Sequence, residues 1–146
     1  MIGPLNHIGI AVPSIEDATK VYKNLYGVQS ITEPGELPDQ GVRFCFVNLP
    51  NSQIELIEPS ENPSIYTEFI DAGKEGIHHI CYWANIDDAR THFNSIGYEE
   101  AQYGVTSNGN EFLYVYGSQD IPFIEIVDPN ESMSAFFALV AQSAQD

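Results

Sequence analysis

Two histidines and two glutamates recur at matching places along this chain of 146 residues. His7 stands in Leu5-Asn6-His7-Ile8-Gly9-Ile10 and His79 in Ile77-His78-His79-Ile80-Cys81-Tyr82. Glu55 stands in Ile54-Glu55-Leu56-Ile57-Glu58-Pro59 and Glu125 in Ile124-Glu125-Ile126-Val127-Asp128-Pro129. His79 follows His7 by 72 residues and Glu125 follows Glu55 by 70, so each half carries one imidazole and one carboxylate. That mixed N/O set suits Zn²⁺, Ni²⁺, Co²⁺, Fe²⁺ or Mn²⁺ without choosing among them, and a six-coordinate ion would keep positions open for a substrate. Taken singly, a strand histidine reads as a hydrogen-bonded structural residue and a strand glutamate as a solvated one. Recurrence of all four favours a shared cation, because duplicated surface residues drift independently.

The elements that must position these residues repeat as well. Side chains alternate along a strand, so His7, Gly9 and Ala11 face one way and Ile8, Ile10 and Val12 the other, toward a helix. Glu55 points away from Ile54 and Leu56, Glu125 away from Ile124 and Ile126, and His79 away from Ile80. By the same alternation His78 faces opposite to His79, as a structural or supporting residue, and His92 sits solvated on a helix. A carboxylate in a half-buried strand is costly without a positive partner, and the only basic residues are Lys20, Lys23, Arg43, Lys74 and Arg90. Helix signals follow each first strand: Ser14 with Asp17 and a closing Gly27, then Asn85 with Asp88 and a closing Gly97. Ile15, Ala18, Tyr22 and Leu25 keep helical spacing in the first, Ile86, Ala89, Phe93 and Ile96 in the second. Strand-type runs complete the halves near residues 29–32, 42–49 and 53–58, then 99–103, 111–116 and 123–127.

The plan is an α+β fold of two βαβββ repeats, residues 5–59 and 77–129. A connecting helix over 60–76 opens at Pro63 and Ser64 and ends at Gly73, and a helix with Phe136, Phe137 and Val140 lies in the tail 130–146. With no flexible linker in sight, residues 1–146 read as one domain with a shared core.

Charge narrows the function classes. Five Lys+Arg against 21 Asp+Glu give −16, a field that repels polyphosphates and anionic membranes and excludes nucleic-acid binding. No apolar run approaches the roughly 20 residues that span a bilayer, and Met1-Ile2-Gly3-Pro4 lacks the layout of a signal peptide, so the expectation is a cytoplasmic protein without a membrane partner. Cys45 and Cys81 sit in apolar runs without CxxC spacing and read as small buried residues.

With those residues on the page, the chain from 5 to about 129 resembles the vicinal oxygen chelate superfamily of glyoxalases, bleomycin-resistance proteins and dioxygenases. The segments LNHIGIAVPSIEDATKVYKNLYG, GVRFCFVNLPNSQIELIEP and EGIHHICYWANIDDA are most similar to its methylmalonyl-CoA epimerase family. The resemblance implies a curved, barrel-like mixed sheet around a divalent metal (Co, Ni, Zn, Mn or Fe) held by His7, Glu55, His79 and Glu125. It implies a homodimer, and an isomerase or lyase acting on an acyl-CoA thioester or another small vicinal-oxygen compound. The best match is epimerisation, with proton transfer at the carbon alpha to a thioester by two carboxylates. One would be Glu125; the other, before the family's Gly-Val, falls here on Asp39, one methylene shorter than the usual glutamate.

The second repeat departs from the pattern. It reads EFLYVYGSQDIPFIEIVDP where the family carries His-Pro-Lys and then Gly-Val before the last ligand. Phe112, Tyr114, Tyr116, Trp83 and Phe123 could line a pocket for a less charged or aromatic substrate, or simply fill a barrel. The alternatives are a glyoxalase I-like lyase, although the usual Asp-Pro-Asp-Gly is absent, and a bleomycin-resistance-type protein that sequesters a cationic ligand without catalysis. An iron-dependent extradiol dioxygenase fits less well, because Glu55 would be a fourth ligand.

Overall fold

A computed structural model describes residues 2–27, 31–50, 52–61, 63–74, 76–106, 108–118 and 121–142. The chain order is β1 (Leu5–Ala11), α1 (Ile15–Tyr26), β2 (Gly35–Leu37), a 3-10 turn (Pro38–Gln40), β3 (Val42–Leu49), β4 (Ser52–Pro59), α2 (Ile65–Asp71), β5 (Gly76–Trp83), α3 (Ile86–Ser95), β6 (Glu99–Val105), β7 (Glu111–Tyr116), β8 (Phe123–Val127) and α4 (Glu131–Gln142). The helix starts follow the sequence signals. Ser14 accepts from Asp17 N, Ser64 from Thr67 N and Asn85 from Asp88 N, each satisfying an N–H that the helix leaves unpaired. Gly27 closes α1 in the left-handed conformation, φ 59°.

The eight strands among the described residues join one mixed sheet in the order β2-β3-β4-β1-β5-β8-β7-β6, curled into a half-barrel. The duplication is visible in its ladders: β1 pairs parallel with β4 at Ile8 and Ile54, and β5 pairs parallel with β8 at Ile80 and Ile124. Between them β1 and β5 run antiparallel at the centre, joining the two repeats. The convex face is covered by the helices of the repeats. Ile15, Ala18 and Tyr22 of α1 pack on Cys45, Val47 and Leu56, while Ile86, Ala89 and Phe93 of α3 pack on Leu113, Val115 and Ile126. Each such large aliphatic taken from water contributes about 1.5–3 kcal/mol. The concave face has its own core of Ala11, Val42, Ile57, Cys81, Phe112, Tyr114 and Val127, roofed by Tyr66 from α2 and Met133 from α4.

Three expectations need correction. The strand expected over 29–32 is not where the first repeat begins its outer strand. Residues 28–30 lie outside the described residues, Ile31 makes a single bridge to Val47, and the strand that pairs with β3 is Gly35–Leu37. Leu25, counted in the apolar stripe of α1, is 66% exposed and stands outside the cluster that Ile15, Ala18 and Tyr22 form against the sheet. His78 does not face away from His79. The β1–β5 register jumps from Gly9–His79 to Ile10–Ile77, leaving His78 as the extra residue of a bulge, and a bulge cancels the alternation. His78 accordingly packs on Tyr66, Phe69, Tyr114 and Phe123 of the concave side. No described helix is long and apolar enough to cross a membrane.

Candidate metal centre

The central strands bring His7, Glu55, His79 and Glu125 to one point on the concave face, with a donor atom of each within 4.8 Å of the others. Gly9 is opposite Glu55 on one side and His79 on the other, while Cys81 is opposite His7 and Glu125. Each imidazole thus lies beside the small residue of the other repeat. A β-carbon on Gly9 would overlap the His79 ring, so that glycine makes the room the ring occupies. Cys45 and Cys81 are free and buried, as expected. Burial pushes the Cys45 thiol up to about 12 and that of Cys81 higher still, which leaves both neutral.

Both ring orientations are fixed from behind. His7 Nδ1 lies 2.6 Å from Asn6 Oδ1, and His79 Nδ1 3.0 Å from His78 Nδ1. If each Nδ1 carries the proton for that bond, each Nε2 presents a lone pair to the centre. Burial, with His79 close by, pushes His78 down to about 3, so it is a neutral acceptor for its neighbour. At the centre His7 Nε2 is 3.1 Å from His79 Nε2 and 3.2 Å from both Glu55 Oε2 and Glu125 Oε2; His79 Nε2 is 3.1 and 3.2 Å from the same oxygens.

These separations fit a cation. Four ligands at the usual 2.0–2.1 Å would stand about 3.3 Å apart around a tetrahedral ion, and adjacent octahedral ligands about 3.0 Å apart. Glu125 Oε2, although 3.2 Å from two imidazole nitrogens, is buried and meets no donor along a hydrogen-bond direction among the described residues. A buried carboxylate oxygen in that state calls for a positive charge at the centre. Electrostatics agree in direction. Burial works to raise Glu125 and Glu55, yet the imidazoles beside them hold both below the usual carboxylate range. Burial likewise works to lower His7 and His79, and is overcome: His7 is raised well above its ordinary value by Cys81, Glu125 and Glu55, and His79 is raised by the two carboxylates. With the Cys81 thiol neutral, the two carboxylates are the negative charges that raise the imidazoles.

A cavity of about 230 Å³ opens onto the centre, lined by His7, Glu55 and Glu125. Its walls are aromatic and aliphatic, and Phe137 of α4 stacks on His7 at 5.6 Å between ring centres. Sequence reasoning missed most of these walls. Phe44 and Phe46, two apart on β3, carried the parity signal; Met133 and Phe136 arrive by tertiary packing of α4. The aromatics that were singled out divide between roles: Phe112 lines this cavity, Tyr116 and Phe123 line a separate one beside His78, Tyr114 is core, and Trp83 packs on Phe137.

Asp39 is not brought to the cluster. It is exposed on the 3-10 turn and lines a neighbouring cavity with Gln40, Gly41, Ser64, Gln102 and Tyr103. The basic residues do not converge on the site either. Lys20 pairs with Asp17, Arg43 with Glu16, Glu36 and Glu58, and Arg90 with Asp87 and Glu100; Lys74 lies over Phe69, beside the His78 cavity.

The family model described as the Glyoxalase/Bleomycin resistance protein/Dioxygenase superfamily matches residues 6–116. The chain belongs to that superfamily. The chain is similar to an ethylmalonyl-CoA/methylmalonyl-CoA epimerase of Cereibacter sphaeroides, 45% identical over 83 residues, covering 56% of this chain and 61% of the relative. The human mitochondrial methylmalonyl-CoA epimerase is 44% identical over 81 residues, 55% of this chain and 46% of the relative. The matched segment thus spans about half to three-fifths of those relatives. Among solved structures, a variant of Streptomyces coelicolor methylmalonyl-CoA epimerase in complex with 2-nitronate-propionyl-CoA superposes with TM-score 0.74 at 19% identity, over 90% of this chain and 97% of that one, a likeness of fold. Helix α4, which walls the cavity, lies beyond the residues matched by the superfamily model.

Proposed function

We propose that this protein is a metal-dependent epimerase that moves a proton on and off the carbon alpha to a thioester carbonyl, with a methylmalonyl-CoA-like thioester as substrate. The observation that carries the reading is the set of four donor atoms, with His–His and His–Glu separations of 3.1–3.2 Å, at the base of a cavity on the concave face. The epimerase relatives support the substrate class. His7, Glu55, His79 and Glu125 would hold a divalent ion, and the donor set leaves Co, Ni, Zn, Mn and Fe open. When bound, that ion supplies the positive charge that stabilises an enolate, a contribution of several kcal/mol.

The chain's own residues supply the rest. Glu125, held ionised by the imidazoles, lines the cavity and takes and returns the α-proton. Asn6 and His78 keep the imidazoles oriented, and the aromatic walls shape the cavity above them. For the opposite face of the enolate the candidate is Asp39, whose turn must rotate inward when substrate binds. Both repeats of the site come from one chain; assembly as a homodimer is a separate part of the proposal, tested by sedimentation.

Elemental analysis with a His7→Ala control, followed by α-proton exchange of methylmalonyl-CoA in D₂O, tests the reading. About one transition metal per chain, lost in the control, together with exchange supports it. Ligand binding that survives a chelator, without exchange, moves the function to sequestration. One observation favours a second reading, a glyoxalase I-like lyase: the described lining of the cavity contains no Lys or Arg to meet the phosphates of coenzyme A. Turnover of a glutathione hemithioacetal in place of the thioester would establish it.

A further inference from the structure

The hairpin between β6 and β7 adds a group to the cavity that the chemistry above does not use. Thr106, Asn108 and Asn110 are its uncharged polar lining residues, among walls of Leu37, Phe44, Phe112 and Val127. Asn110 is held firmly. Its backbone N–H donates to Thr106 Oγ1 at 3.1 Å, its carbonyl accepts from Thr106 N at 2.8 Å, and Gly109 N donates to Thr106 O at 2.9 Å. Its side-chain oxygen is left over: Asn110 is 5% exposed, and its Oδ1 has no hydrogen-bond partner among the described residues. A buried amide oxygen without a donor is uncommon, and here it belongs to a residue lining the cavity that also holds His7, Glu55 and Glu125. A fixed acceptor of this kind is completed by an N–H or O–H of the ligand, at little ordering cost.

A CoA thioester carries one such donor close to its reacting end. Two methylenes beyond the thioester sulfur stands an amide N–H, while the acyl group itself, as carboxylate and carbonyl, offers only acceptors. We infer that Asn110 Oδ1 accepts this amide N–H and that the residue selects thioesters whose arm begins with an amide. The inference rests on the thioester reading proposed above and adds a contact outside the four-residue centre. Asn110 is a specificity residue rather than a proton carrier, so its effect falls on binding and KM. A site that hydrogen-bonds a ligand N–H rejects an analogue lacking it, because the acceptor stays unpaired.

The test uses two methylmalonyl thioesters of the same length, one on N-acetylcysteamine and one on 2-acetoxyethanethiol, in which an ester oxygen replaces the N–H. Binding to the cobalt-reconstituted protein is measured by calorimetry, and α-proton exchange in D₂O gives kcat and KM. The wild-type protein should bind the amide at least about tenfold more tightly than the ester, with similar kcat. Asn110→Leu should bind both alike, and Asn110→Asp, which keeps an acceptor in place, should retain the preference. Equal binding of the two thioesters by wild type, or a preference that survives in Asn110→Leu, overturns the inference even while exchange proceeds. Wild type that neither binds nor exchanges either thioester overturns the thioester reading itself.

Discussion

In the first repeat His7 is oriented by Asn6, its neighbour in sequence, whereas in the second His79 is oriented by His78, which a bulge turns inward against Tyr66, Phe69 and Phe123. His7 lines the cavity and carries Phe137 on its face; His79 is fully buried and does not line it. The carboxylates differ in the same sense, the Glu55 side chain being 14% exposed and that of Glu125 9%. Duplication therefore supplied equivalent donor atoms, and the surroundings have since separated their tasks. The second repeat sets His79 in the core, while His7 and Glu55 of the first line the cavity together with Glu125.

Glutamine substitutions break that comparison most sharply. Glu125→Gln should lower α-proton exchange by about 10²–10⁴-fold even in excess metal, because it removes the proposed proton carrier as well as a proposed metal ligand. Glu55→Gln should act through metal affinity, about 10–100-fold, and regain its rate in excess metal. Equal and unrescued losses would make the two repeats interchangeable. Next in size are the small residues beneath the rings. Gly9→Ala forces a β-carbon into the His79 ring and should strip metal from the protein, with a destabilisation of about 1–3 kcal/mol from overpacking. Cys81→Ala, which removes only a neutral thiol beside His7, should keep its metal. Elemental analysis and thermal melts of both variants decide it.

The same contrast explains what could be read in the sequence. His7, Glu55, His79 and Glu125 were legible because they sit in parallel ladders repeated at Ile8–Ile54 and Ile80–Ile124, where alternation fixes the face. Helices α1, α2 and α3 were legible through Ser14, Ser64 and Asn85, whose caps are local chemistry. His78 was misplaced because a bulge depends on the partner strand, and a single sequence does not show its partner's register. Phe136 and Phe137 were legible as helix but not as cavity wall, since their role depends on where α4 docks. Asp39 came from resemblance alone, and its position outside the cavity leaves Asp39→Asn as a direct check: lost exchange would require the turn to move inward.

Smaller effects sharpen the difference between the two supports. His78→Ala empties a buried ring site and frees the His79 Nδ1, and should weaken metal affinity toward the upper end of about 10–100-fold. Asn6→Ala, at the more accessible end, should fall toward the lower end, as competition with a chelating dye would show.

Acidity separates the carboxylates from the imidazoles by the direction in which each loses its contribution. Glu55 and Glu125 are lowered from 4.5, so the stability they contribute is present above that value and is lost as pH falls. His7 and His79 are raised from 6.5, so theirs is present below that value and is lost as pH rises through the raised range. The metal-free protein should therefore melt highest between about pH 5 and 6 and lose stability on either side, by up to about 1.4 kcal/mol per pH unit for each proton exchanged. A bound cation takes the place of the imidazole protons, so metal loading should abolish the alkaline decline while the acid decline remains. A metal-free protein whose melting temperature keeps rising from pH 6 to 8 would mean that the imidazoles are neutral without metal. The two carboxylates would then lack the counter-charge that their lowered range requires.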